Sequence, residues 1–189
     1  MEMDKAKAGD VAAAGVMVNG AEKNSAVAKG RWTIECRDKH GNLKWVEESE
    51  NLIVDVGLNE LLDAALANQG ATASWYIGLT ADASGVVAGD TMASHGGWTE
   101  LTGYDEATRK QWVPNGAAAA KTVTNSNAKA VFTITANATT VGGYFMTSSS
   151  VKGGAVGKLF SAGAFTNGSR VLASGDTLAV TASFSLSAT

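Results

Sequence analysis

Leu178, Val180, Ala182, Phe184 and Leu186 occupy every second position of one uninterrupted run. Successive side chains of an extended strand point to opposite faces. The run therefore presents one apolar face and one face of Ala, Thr and Ser. A helix would scatter the same residues around its circumference. The period-two pattern recurs at Trp32, Ile34 and Cys36, at Trp75, Ile77 and Leu79, and at Ala130, Phe132 and Ile134. Residues 141–147 and 158–161 add two strands, and 109–113 adds another, ended by Pro114-Asn115-Gly116. Turn residues separate these segments at a spacing that suits antiparallel pairing. The expected fold is mainly β, an antiparallel, jelly-roll-like β-sandwich with one helix and an extended N-terminal arm. The βαβ alternation of a parallel nucleotide-binding sheet is missing.

The helix is expected near 57–69. Leu58, Leu61, Leu62, Ala65 and Leu66 fall at helical spacing on one face, with Asp55 as N-cap and Gly70 as stop. This face should be buried against the sheet, together with Trp75, Ile77, Phe132, Ile134, Leu178, Val180 and Phe184. Residues 31–37 and 43–47 should pair as a hairpin around the turn at 38–42. Residues 81–97 are rich in Gly and Ala and read as a long loop, packed or functional, with one helical turn at 91–95.

Residues 1–30 contain no Trp, Tyr, Phe, Leu or Ile, and their charges nearly balance. Such a segment buries too little apolar surface to offset the entropy of ordering. It is expected to be a flexible arm, ahead of a body at 31–189, that orders against a partner through Val11, Val16, Met17 and Val18. Small residues dominate the body too: Ala, Gly, Ser and Thr make up nearly half of the chain. Its core is expected to be thin.

The net charge of −3 argues against a nucleic-acid partner. No run approaches the apolar length of a membrane span, and no basic segment precedes an apolar one as in an export leader. Cys36 is the single cysteine, which suits a reducing compartment. With only Cys36, His40 and His95 as soft or imidazole donors, neither a metal nor a cofactor is expected. The segment Gly153-Gly154-Ala155-Val156-Gly157-Lys158 lacks the spacing and the Ser or Thr of a phosphate loop and reads as a hairpin loop. His95 lies close in sequence to Asp90, Ser94 and Glu100, but no nucleophile-elbow motif accompanies them. Glu47, Glu48 and Glu50 read as a solvated strand end. Trp75, Trp98, Tyr104 and Trp112 could form a sugar platform or simply pack.

The order of short motifs is more informative. Gly-Asn-Leu-Lys-Trp at 41–45 is followed by Asn-Leu-Ile-Val at 51–54 and Val-Gly-Leu-Asn-Glu-Leu-Leu-Asp at 56–63. Trp-Tyr-Ile-Gly-Leu stands at 75–79, and Ala-Gly-Asp-Thr-Met-Ala-Ser-His-Gly-Gly-Trp-Thr-Glu at 88–100, then Tyr104 and Arg109. Gly-Gly-Tyr-Phe at 142–145 and Gly-Asp-Thr-Leu at 175–178 complete the series. Over residues 31–189 the chain resembles a family of small virion structural proteins of tailed bacteriophages. The resemblance implies a non-enzymatic particle component with no catalytic residues. The leading expectation is a capsid decoration, or cement, protein on the outer particle surface. Its partners would be the major capsid protein or neighbouring virion proteins, with many copies per particle or a homo-oligomer. Two alternatives are a neck, collar or tail-fibre component and a carbohydrate-binding module for host attachment.

Overall fold

The computed structural model of the chain describes residues 26–82 and 85–188. Strands β1 (Ala26–Arg37) and β2 (Leu43–Ile53) form the expected hairpin. Asp38 closes its turn by accepting hydrogen bonds from the backbone N–H groups of His40 at 2.8 Å and Asn42 at 2.9 Å. Helix α1 (Asp55–Leu62) follows and continues as a π-helical turn, Asp63–Ala67. The next strands are β3 (Trp75–Asp82), β4 (Thr99–Leu101), β5 (Lys110–Trp112), β6 (Thr122–Thr124) and β7 (Ala130–Thr133). Then come β8 (Thr139–Val141), β9 (Gly143–Thr147), β10 (Leu159–Ala164), β11 (Arg170–Leu172) and β12 (Thr177–Ala188).

One antiparallel sheet runs in the order β4-β3-β9-β10-β2-β1-β12-β6, with β5 beside β3 and β7 beside β12. β8 and β11 form a separate ladder. β2 joins the two halves of the large sheet. Its residues up to Asn51 pair with β1, whereas Leu52 and Ile53 pair with β10. The sheet curls there, so that Trp32 of β1 stacks on Tyr144 of β9 with ring centroids 4.2 Å apart. Trp112 of β5 donates across the same interior to the carbonyl of Ala182 on β12, at 3.1 Å. The mainly β, antiparallel architecture is that expected from the alternation, and its two layers are continuous through β2.

Alternation decides the core. Trp32, Ile34 and Cys36 are buried opposite Ala182, Val180 and Leu178, so the largest side chain of β1 faces the smallest of β12. Phe132 and Ile134 complete this layer. Every residue of β9 is buried, because the strand is covered on both faces. Tyr144 and Met146 join the main core, while Phe145 joins a second cluster with Val54, Met92, Trp98 and Leu159. The loop after β3 supplies Met92 and Trp98 and so covers the outer face of β9 and β10. At 91–95 it forms a reverse turn closed by paired hydrogen bonds between Thr91 and Ser94, in place of the expected helical turn.

Three further sequence expectations are corrected. The helix begins at Asp55, with Val54 as N-cap, and ends at Asn68 in the left-handed conformation, two residues before Gly70. Its buried face carries Gly57 and Glu60, with Leu61 half-buried, whereas Leu58 and Leu62 are 41% and 56% exposed. Gly57 causes this rotation. A Cβ there would lie 2.1 Å from the carbonyl oxygen of Phe160, so the bare backbone packs directly on β10 and the leucines turn outward. Lastly, β1 begins at Ala26, inside the segment 1–30 assigned to the arm. Residues 26–30 pair with β12 from Ala26↔Ala188 to Gly30↔Phe184. Backbone ladder bonds to an existing strand extend β1 where side-chain apolarity does not announce it.

Candidate interaction surface

The interior of the curled sheet opens at one end. β2 departs from β1 at Asn51, so residues 26–29 of β1 pair with β12 and have no β2 partner. The gap forms a groove of about 400 Å³. Its walls are Ala26 and Ala28 of β1, Leu61 of α1 and Leu186 near the end of β12. Its floor is Phe160 and Phe184, which meet edge to face with centroids 5.1 Å apart. Trp75 and Trp112 buttress these two rings from behind, at 5.1 Å and 5.9 Å. Lys121 is the ionisable residue in the lining among the described residues. The helix that supplies Leu61 exposes Leu58 and Leu62, and the π-helical turn after it exposes Leu66, the last 80% exposed. A concave, mostly apolar site with an aromatic floor suits apolar side chains, with Lys121 as its one cationic group among the described residues.

The polar side chains singled out in the sequence are held in structural bonds elsewhere. Arg109 is buried and grips both carboxylate oxygens of Glu100, at 2.9 Å and 2.7 Å. It also donates to the carbonyls of Ser149 at 3.1 Å and Gly154 at 2.7 Å, and its guanidinium lies 5.1 Å from the Phe145 ring. The backbone N–H of Gly153 donates to Glu100 at 2.9 Å. The loop after β9 is thus pinned by a carboxylate of its own chain, as a hairpin loop and not as a phosphate cradle.

His95 stacks on Trp98 with centroids 3.7 Å apart, and its Nδ1 lies 3.1 Å from the Trp98 carbonyl oxygen. The carboxylate of Asp90 instead accepts from Val87 N at 3.1 Å and from Trp98 Nε1 at 3.4 Å. Ser94, His95 and Asp90 are neighbours in one loop, but their bonds do not form a relay. Glu47 is fully buried and correctly described by neither solvation nor a strand end: it accepts from Asn167 N at 3.0 Å and pairs with Arg170 at 3.5 Å. Glu60 is buried at the base of α1, where it accepts from Thr72 N at 2.7 Å and pairs with Lys158. Burial pushes its carboxyl upward, but the bonds from Lys158 and Thr72 outweigh this and hold it below the usual carboxylate range. Burial, reinforced by the Asp176 carboxylate, pushes the Cys36 thiol up to about 11. That leaves it unreactive at neutral pH.

All five tryptophans are buried or half-buried, and each packs against another ring. They build the interior and do not form a solvent-facing sugar platform. Among the described residues no three His, Cys, Asp or Glu side chains converge as a metal site. No helix there is long and apolar enough to cross a membrane. Val11, Val16, Met17 and Val18, the expected interface residues, lie outside the described residues. The groove escaped the sequence reading. Its signal was the continuation of the Trp32 face upstream to Ala28 and Ala26, which small side chains conceal.

No family model matches the chain, and no curated protein matches it.

Proposed function

We propose that this chain is a non-enzymatic structural protein of a tailed-bacteriophage virion, and specifically a capsid decoration protein held on the outer shell by its β-body and N-terminal arm. One observation carries the reading: the motifs that give the resemblance are those that the fold consumes. Asn51-Leu52 is where β2 changes partners, and Gly57 and Glu60 seat α1. Asp90 and Trp98 tie the covering loop, Glu100 and Arg109 pin the loop after β9, and Asp176 caps the turn before β12 by accepting from Ala173 N at 2.8 Å. Among the described residues these side chains serve the architecture, which suits a protein whose task is contact area. Many modest contacts per shell sum to firm retention. The net charge of −3 favours a position away from packaged DNA.

A density map of the native particle tests this. Decoration places the β-body on the capsid lattice in hundreds of copies, whereas a neck, collar or fibre part occupies a ring of about six to eighteen. Absence of the chain from purified particles overturns the virion reading. Binding of glycans by the purified protein would instead favour the carbohydrate-binding reading.

A further inference from the structure

We propose that the apolar groove at the open end of the sheet is occupied, in the free protein, by residues 11–18 of the same chain. The inference rests on the fold and does not require the virion reading. Three observations converge on this occupant.

The first is position. Ala26 is both the start of β1 and part of the groove wall, so the preceding 25 residues are tethered at the rim of the site. Residues 19–25 supply a tether of up to about 23 Å, ample for the chain to turn back. Asn19-Gly20 is the dipeptide best suited to such a reversal. A segment held this way is present at millimolar effective concentration, so it outcompetes a second copy in dilute solution.

The second is chemistry. Residues 11–18 read Val-Ala-Ala-Ala-Gly-Val-Met-Val, an uncharged stretch with charged residues on either side. Val16, Met17 and Val18 are its bulky members. A groove walled by Ala26, Ala28 and Leu61 and floored by Phe160 and Phe184 has room for aliphatic side chains. Methionine in particular packs well against aromatic rings. Asp10, at the head of the stretch, complements Lys121 in the groove lining.

The third is the cost of leaving the site uncovered. Leu186 is half exposed beside the groove, and β1 lacks a β2 partner over residues 26–29. An apolar segment in the groove removes both liabilities at once.

The test uses the full chain carrying Met17→Cys and Ala118→Cys, one in the segment and one in the groove lining. Cys36 is buried and does not compete. Under mild oxidation the expected product is an intrachain disulfide, formed at a rate independent of protein concentration. It should form about tenfold faster than in a Lys5→Cys, Ala118→Cys control, as effective concentration demands. A disulfide between chains would overturn the proposal and assign the groove to a second copy. Equal rates in the two variants would also overturn it, as the mark of an undocked arm. A second variant, Met17→Asp in the full chain, should speed amide exchange of residues 26–29 by about tenfold. Unchanged exchange there overturns the proposal even if the disulfide forms. Neither result depends on where, or whether, the chain sits on a particle.

Discussion

Arg109 ties one loop to two strands with a single side chain. Its carboxylate partner, its two carbonyl partners and the Phe145 ring all lose their counterpart if it is truncated. Arg109→Ala is expected to cost about 3–5 kcal/mol, the range for breaking a buried pair and stranding its partner. Urea denaturation measures this, and a loss below about 1 kcal/mol, typical of exposed pairs, would show the cluster to be solvated. Glu60 makes a pH-dependent contribution of defined sign. Its folded-state pKa is depressed, so its contribution is complete above the unfolded carboxylate pKa and is lost as pH falls below about 4. Glu60→Gln keeps the acceptor for Thr72 but cannot titrate. The variant should therefore lose less stability than the wild type between neutral and acidic pH, read as a smaller shift in urea midpoint.

At the scale of the element, α1 shows how a helix can choose a face other than its most apolar one. Leu58, Leu62 and Leu66 lie in the row that periodicity marks for burial, yet the close approach of Gly57 to the Phe160 carbonyl sets the rotation. Leu62→Ala is accordingly expected to change stability by no more than about 0.5 kcal/mol, as surface substitutions do. Gly57→Ala should be far more costly, about 1–3 kcal/mol or above, because its methyl group meets backbone that cannot rotate away. Thermal denaturation of the two variants side by side decides the orientation, and the reverse ranking would restore the leucine face to the core. Gly78 on β3 follows the same logic, with the Phe145 ring of the paired strand lying where a Cβ would stand.

For the whole molecule the decisive feature is a sheet that curls through one shared strand and stays open where that strand changes partners. β1 and β12 run together from Ala26↔Ala188 to Arg37↔Thr177, so their outer ends form the rim of the groove. Truncation should respect that rim. A chain lacking residues 2–25 is expected to keep the β-sheet circular dichroism of the full protein and to melt cooperatively. Extending the deletion through residue 29 removes part of the ladder with β12 and a groove wall, and should lower the melting temperature clearly. Equal melting of the two truncations would mean that residues 26–29 contribute no pairing energy.

The sequence by itself determined the longer strands, their antiparallel character and most of the core, whereas the three-residue strands β4, β6, β8 and β11 carry too few residues to show a period. Period two is a local property that a buried face imposes on Trp32, Ile34, Cys36, Leu178 and Val180 whatever the topology. It also determined the turn at 38–42, since Asp38 and Gly41 act on their near neighbours. Tertiary structure alone decided the rotation of α1, the start of β1 and the groove. Each depends on a surface supplied by a distant part of the chain: the Phe160 carbonyl for the helix, β12 for residues 26–30, and the departure of β2 toward β10 for the opening. The buried roles of Glu47, Glu60 and Arg109 belong here as well. A charged side chain reads as solvated until the fold brings it partners, and Asn167, Lys158 and Glu100 reach them through pairings that no local pattern encodes.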